Sequence, residues 1–224
     1  MSERILAASD CEHCRPGPIS QPANTVSSLA YVAAGAAMAA AVLRRPADQD
    51  RALDLAYAAS VTAVGLGSVA YHGPGGRLGK WAHDASLESM LLLTGVRAAR
   101  LAWPRLSVPA AALAAVPVVS VGLGHPRITE SSQAVLGIAT VTGQVARGVR
   151  SRRDGGTPRR IGTLAIFGAG AALHALGRTG GPLCRPHSPL QPHAAWHALS
   201  ALALWQESVD VDRSRHVATP GGSN

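Results

Sequence analysis

Residues 24–43, NTVSSLAYVAAGAAMAAAVL, run for twenty positions without a charge, and no other feature narrows the fold as much. About 20 apolar residues are what an α-helix needs to cross ~30 Å of hydrocarbon. In that medium only a helix or a closed barrel satisfies its own backbone. We place candidate spans at roughly 24–43, 52–73, 81–101, 107–124, 131–149, 160–177 and 190–207, each close to the ~20-residue requirement. The third holds Asp84 and Glu88, and the fifth and seventh are short. A soluble bundle would show a charged face on every helix, whereas here the charges collect between the spans. The expected fold class is all-α, a polytopic membrane protein built as a seven-transmembrane helix bundle. Residues 1–23 form an extracytoplasmic segment, 24–207 the membrane domain and 208–224 a disordered cytoplasmic tail.

The basic residues give the orientation. Placing the N-terminus outside leaves seven Lys and Arg on outer segments, namely Arg4, Arg15, Arg77, Lys80, Arg127, Arg178 and Arg185, and the other fourteen on inner ones. Inner excess is the positive-inside pattern, which sets N-terminus outside and C-terminus inside. The net charge of +8 therefore reads as topology. Nucleic acid is not an expected partner, because no basic stripe is interleaved with aromatics. MSERILAASD has no continuous apolar core, so no cleavable signal peptide is expected and the first span serves as the membrane signal. The expected location is a cell membrane, multi-pass, in a bacterial inner membrane.

Ionisable groups at membrane depth are costly and mark functional sites. His193 and His197 stand one helical turn apart, a spacing that presents two imidazoles to one ion. By itself the pair is weak evidence. His72, at the outer end of the second span, and Asp84, at the outer start of the third, fall in the same leaflet. The topology that places them there made no use of them. Three neutral nitrogen donors with an open fourth position form the pattern of catalytic zinc, which lowers the pKa of a bound water towards 7. His72, His193 and His197 are the expected zinc ligands. Asp84 is the expected proton carrier, and Ser68, one turn before His72, a hydrogen-bond partner to the reacting oxygen. A serine in such a helix equally often bonds back to a backbone carbonyl. His174 is a competing intramembrane histidine or a partner to a ligand, and Glu88 extends the polar wall. His83 should point about 100° away from Asp84, towards the surface, and His13, His125 and His187 should be solvated.

With these residues in view, the chain resembles the alkaline ceramidase branch of the CREST superfamily of seven-transmembrane zinc hydrolases. The resemblance rests on Cys11-Glu12, Asn24-Thr25-Val26-Ser27, Ser68 with His72, Asp84, and His193 with His197, in that order along the chain. It implies hydrolysis of an amide in a membrane lipid, ceramide or another acyl-amide lipid, at a zinc held by the three histidines. It also implies calcium near the N-terminus, for which Asp10, Glu12 and Asn24 are oxygen donors. Gln21 stands where an acidic residue is expected, and His13 and Cys14 interrupt the acidic cluster, so such a site would be weak or absent.

Cys11, Cys14 and Cys184 all fall outside in this topology, where an oxidising environment favours a disulfide. Cys11 with Cys184 is the preferred bridge and Cys14 the alternative partner. Two other functions fit the same residues: a seven-transmembrane receptor or sensor with structural zinc, and a transporter using intramembrane His and Asp. The first would usually carry larger extramembrane regions, and the second inverted repeats; neither is visible. Small residues at Gly65, Gly67, Gly168, Gly170 and Ala171 could line a lipid cavity or permit close helix packing.

Overall fold

The computed structural model describes residues 7–102, 116, 126–153 and 159–218. Among these the chain is all-α, with six helices and a 3-10 turn at Ala8–Asp10. Helix α1 is the rod Pro22–Arg44, whose segments Pro22–Ser27 and Leu29–Arg44 join through Ser28 in helical conformation. Proline at its first position suits an N-terminus that has no N–H partner there. Then follow α2 (Arg51–His72), α3 (Gly76–Ala102), α4 (Pro126–Arg153), α5 (Arg159–Leu176) and α6 (Pro192–Ala218).

A tight reversal joins α2 to α3. Gly75 and Gly76 take φ of 68° and 88°, which a residue with a Cβ adopts at a cost. The two helices then pack antiparallel along their length, and α1 lies against α2. The second interface closes at Gly65 and the first at Gly67. A Cβ on Gly67 would sit 2.7 Å from the Ala82 carbonyl oxygen, and one on Gly65 2.9 Å from that of Ser28. Helix α6 fills the remaining side of α1 and carries α5 on its outer flank, while α4 leans on α3. The core between them is Tyr31 and Met38 of α1, Tyr57, Val61 and Val64 of α2, Leu93 of α3 and Ala201 of α6.

One end of the bundle is locked by buried charge. Arg97 of α3, 1% exposed, donates from Nε to Asp54 of α2 at 3.0 Å and from a terminal nitrogen to Glu207 of α6 at 3.1 Å. Its guanidinium lies 4.2 Å from the Tyr57 ring centroid. Arg45 also pairs with Asp54, and Arg100 with Asp50 at 2.6 Å. The outward surfaces are apolar by contrast: Val26, Val135 and Ile138 are each about two-thirds exposed.

Seven spans are expected from sequence. Two of the described helices, Pro22–Arg44 and Arg51–His72, are long and apolar enough to cross a bilayer, and Ile161–Leu176 is apolar but shorter. Helices α3 and α6 have the length, but Lys80, Asp84, Glu88 and Arg97 in one, and Glu207 and Asp210 in the other, interrupt their apolar windows. Most of these charges are turned inward. The candidate span 107–124 lies, apart from Val116, outside the described residues. Beyond residue 207, where a disordered tail is expected, α6 continues as helix to Ala218, with Ser208 and Val211 buried.

Candidate metal centre

His72 is the last residue of α2, and His193 and His197 occupy the first turns of α6. Because α6 packs beside α1 and α1 beside α2, the end of one histidine helix meets the start of the other. One ligand atom from each imidazole lies within 4.8 Å of the others. Donors on one ion at ~2.1 Å stand ~3.4 Å apart in a tetrahedral site, so the rings would draw in by about an ångström to share it. All three side chains are buried, His72 at 1% exposure.

The hydrogen bonds around the rings decide which nitrogen of each would face an ion. Gln21 donates its amide N–H groups to the backbone oxygens of Ala7 and Glu12, both at 2.9 Å. Its oxygen therefore faces His72 Nδ1, 2.7 Å away, and must accept a proton from it. His72 Nε2 is then a lone-pair donor, and it is buried with no partner among the described residues. At His197 the hydroxyls of Ser27 and Ser28 both donate to the Asn24 carbonyl, at 3.0 and 2.7 Å. Their oxygens accept from His197 Nδ1, at 2.9 and 3.4 Å. His193 Nδ1 lies 3.0 Å from His174 Nδ1 and 3.7 Å from an Asp10 carboxylate oxygen. Burial holds the Asp10 carboxyl above its ordinary range, opposed by the Ser9 hydroxyl and by His83 and Arg178. Partners of this kind set the tautomer and orientation of metal-bound imidazoles. An unsatisfied, buried imidazole nitrogen facing two others is what a metal ion would complete.

A cavity of about 420 Å³ opens beside the triad, lined at its polar end by Ser68, Asp84, His193 and His197. Ser68 Oγ is buried and bonds to nothing among the described residues, so it does not turn back onto its own helix. Asp84 is ion-paired with Lys80 at 2.7 Å and bonded to His83 Nδ1 at 3.0 Å. His83 thus differs from its expected outward place: it turns back to Asp84 and lines the cavity. Glu88 faces away, towards the Ser132 hydroxyl of α4. His174, the competing histidine, stands against His193. A smaller cavity of about 80 Å³ continues past Thr94, Phe167 and Leu204, residues common to both, towards Glu207.

Of the three residues implied for calcium, Glu12 and Asp10 have other partners. Both Glu12 carboxylate oxygens accept backbone N–H groups at the start of α1, from Ala23 at 2.8 Å and Asn24 at 2.9 Å. There they cap the helix and meet its positive end. Asp10 faces His193. Asn24 Oδ1 has no partner among the described residues, one oxygen where calcium takes six to eight. Cys11 and Cys184 are disulfide-bonded and Cys14 is free. Gln21, Ser27 and Lys80 escaped the sequence reading as site residues. Lys80 at i−4 from Asp84 is a recognisable helix pair; the other two touch residues far along the chain. No protein-family model matches the chain, and no curated protein matches it.

Proposed function

We propose that the protein is a membrane-embedded, zinc-dependent hydrolase of lipid amides, similar to the alkaline ceramidases, with seven spans, an external N-terminus and a cytoplasmic C-terminus. The observation that carries this is the unpartnered Nε2 of His72, buried against two further imidazoles, His193 and His197, that line a largely apolar cavity. Zinc held by His72, His193 and His197 would supply Lewis acidity and lower the pKa of a water there. Asp84 lines that cavity as a carboxylate held by Lys80 and His83, suited to take a proton and later pass it to a leaving amine. Ser68, with an uncommitted hydroxyl, offers a hydrogen bond to the carbonyl oxygen as charge develops on it. Tyr31, Val64 and Met90 wall the cavity, and Phe167 and Leu204 extend it into the smaller one, giving an acyl chain an apolar path.

Membrane integration is supported by the distribution of polarity. Ionisable side chains such as Asp54, Arg97 and His72 lie inside, and apolar side chains of α1 and α4 face outward, as expected in lipid. Arg45, Arg97 and Arg100 are ion-paired within the bundle. Setting them and Lys80 aside, the inner segments still hold the excess of positive charge.

The test is metal content together with hydrolysis of ceramide and other N-acyl lipids by the full chain in detergent. About one zinc per chain is expected, with fatty-acid release lost on chelation and regained with zinc. His72→Ala should lose the metal. Asp84→Asn should keep it and lose 10²–10⁴-fold in rate. Bound zinc with no hydrolysis of any acyl amide would make the ion structural and end the proposal.

A further inference from the structure

The amide nitrogen of Gln21 occupies a position chemically suited to a cation. It is 1% exposed and is approached by the carbonyl oxygens of Ala7 and Glu12 at 2.9 Å and by the Cys14 sulfur at 3.6 Å. All three acceptors belong to the N-terminal segment, which runs across the end of the bundle that bears the histidines. The same side chain presents its oxygen to His72 Nδ1 at 2.7 Å. A neutral amide thus does two things at once. Its donors hold the segment down, and its acceptor orients a metal ligand.

We propose that Gln21 replaces a cation in this chain: its amide clamps the N-terminal segment over the metal centre, so the protein needs no calcium there. The chemistry is directional. A carboxylate at this position would face three electron-rich acceptors and would require a positive ion between them. An amide supplies the positive end itself. Both Glu12 carboxylate oxygens serve the α1 N-terminus, so an ion here would rest on the Ala7 and Glu12 backbone oxygens and on a carboxylate at position 21, which the amide does not supply. Gln21 is a positioning residue, acting on the ion through His72. The orienting half of the proposal depends on the triad holding a metal, and the calcium half does not; neither depends on which bond is hydrolysed.

Cys14 provides a local reporter, because it is the free thiol beside Gln21 and is half-buried there. The experiment uses the full chain in detergent with resin-stripped buffer, zinc resupplied, and calcium chloride added or omitted. Thermal midpoint, the rate of Cys14 alkylation and zinc affinity are measured for wild type, Gln21→Glu and Gln21→Leu. Wild type should be indifferent to calcium. Gln21→Glu should alkylate several-fold faster without calcium and return towards wild type with it, magnesium serving as control. Its zinc affinity should be kept, because a carboxylate still accepts from His72 Nδ1. Gln21→Leu should lose 10–100-fold in zinc affinity, the usual effect of removing such a partner, with no rescue by calcium. A wild-type midpoint that rises with calcium would overturn the proposal, as would a Gln21→Glu protein that alkylates at the wild-type rate in calcium-free buffer. The wild-type titration stands even if the leucine variant does not fold.

Discussion

Ser27 and Ser28 show how much a candidate metal ligand depends on residues that would never touch the ion. Each hydroxyl proton is committed to the Asn24 carbonyl, which leaves both oxygens as acceptors for His197 Nδ1. Replacing both by alanine should lower zinc affinity 10–100-fold, read by competition with a chromophoric chelator. Ser27→Ala alone should cost less, because Ser28 remains in reach. An unchanged affinity in the double variant would remove the tautomer argument. The three histidines that could hold a metal were legible in the sequence, since a one-turn histidine pair and a histidine closing an apolar run are local signals. Their partners were not. Ser27 and His197 are 170 positions apart, and Gln21 and His72 are 51 apart. Nothing short of the fold says that these residues meet.

Helices reveal a different division. The small residues of α2 and α5 look alike in sequence, yet they serve unlike surroundings. Gly67 lies against the backbone of Ala82 and His83, whereas Gly168 has nothing within 4 Å of where a Cβ would stand. Gly67→Ala should therefore destabilise by about 1–3 kcal/mol and weaken activity, because Ser68 and Asp84 flank that contact. Gly168→Ala should be neutral or stabilising by up to ~1 kcal/mol. Thermal unfolding of the two variants side by side checks both, and equal effects would refute the packing account. Helix positions followed from apolar run length, and α1 and α2 agree closely with it. The charges inside α3 and α6 blurred that reading, because hydropathy cannot distinguish an inward carboxylate from a solvated one.

Over the whole molecule, the two ends of the bundle are closed by opposite means. One gathers three buried imidazoles that could share a positive ion; the other buries Arg97 among Asp54 and Glu207. In the charge count Arg97 passed for an ordinary inner arginine, and only the tertiary fold reveals its counter-ions. Arg97→Met should cost on the order of 3–5 kcal/mol by removing the buried positive charge that Asp54 and Glu207 share, although Asp54 keeps Arg45. A triple variant with Asp54→Asn and Glu207→Gln should recover part of that loss. Unfolding midpoints in detergent measure both, and a single variant as stable as wild type would show that the cluster carries no net strain when broken.

Helix α1 contributes no ligand, yet its first turns and the residue before them set the orientation of two: Gln21 sets His72, and Ser27 with Ser28 set His197. The template thus precedes the α6 donors along the chain, Ser27 standing 170 positions before His197. Without α6 in place the site would keep one imidazole of the three, too few donors to hold a metal ion. Metal capture would thereby serve as a certificate that two distant parts of the fold have met.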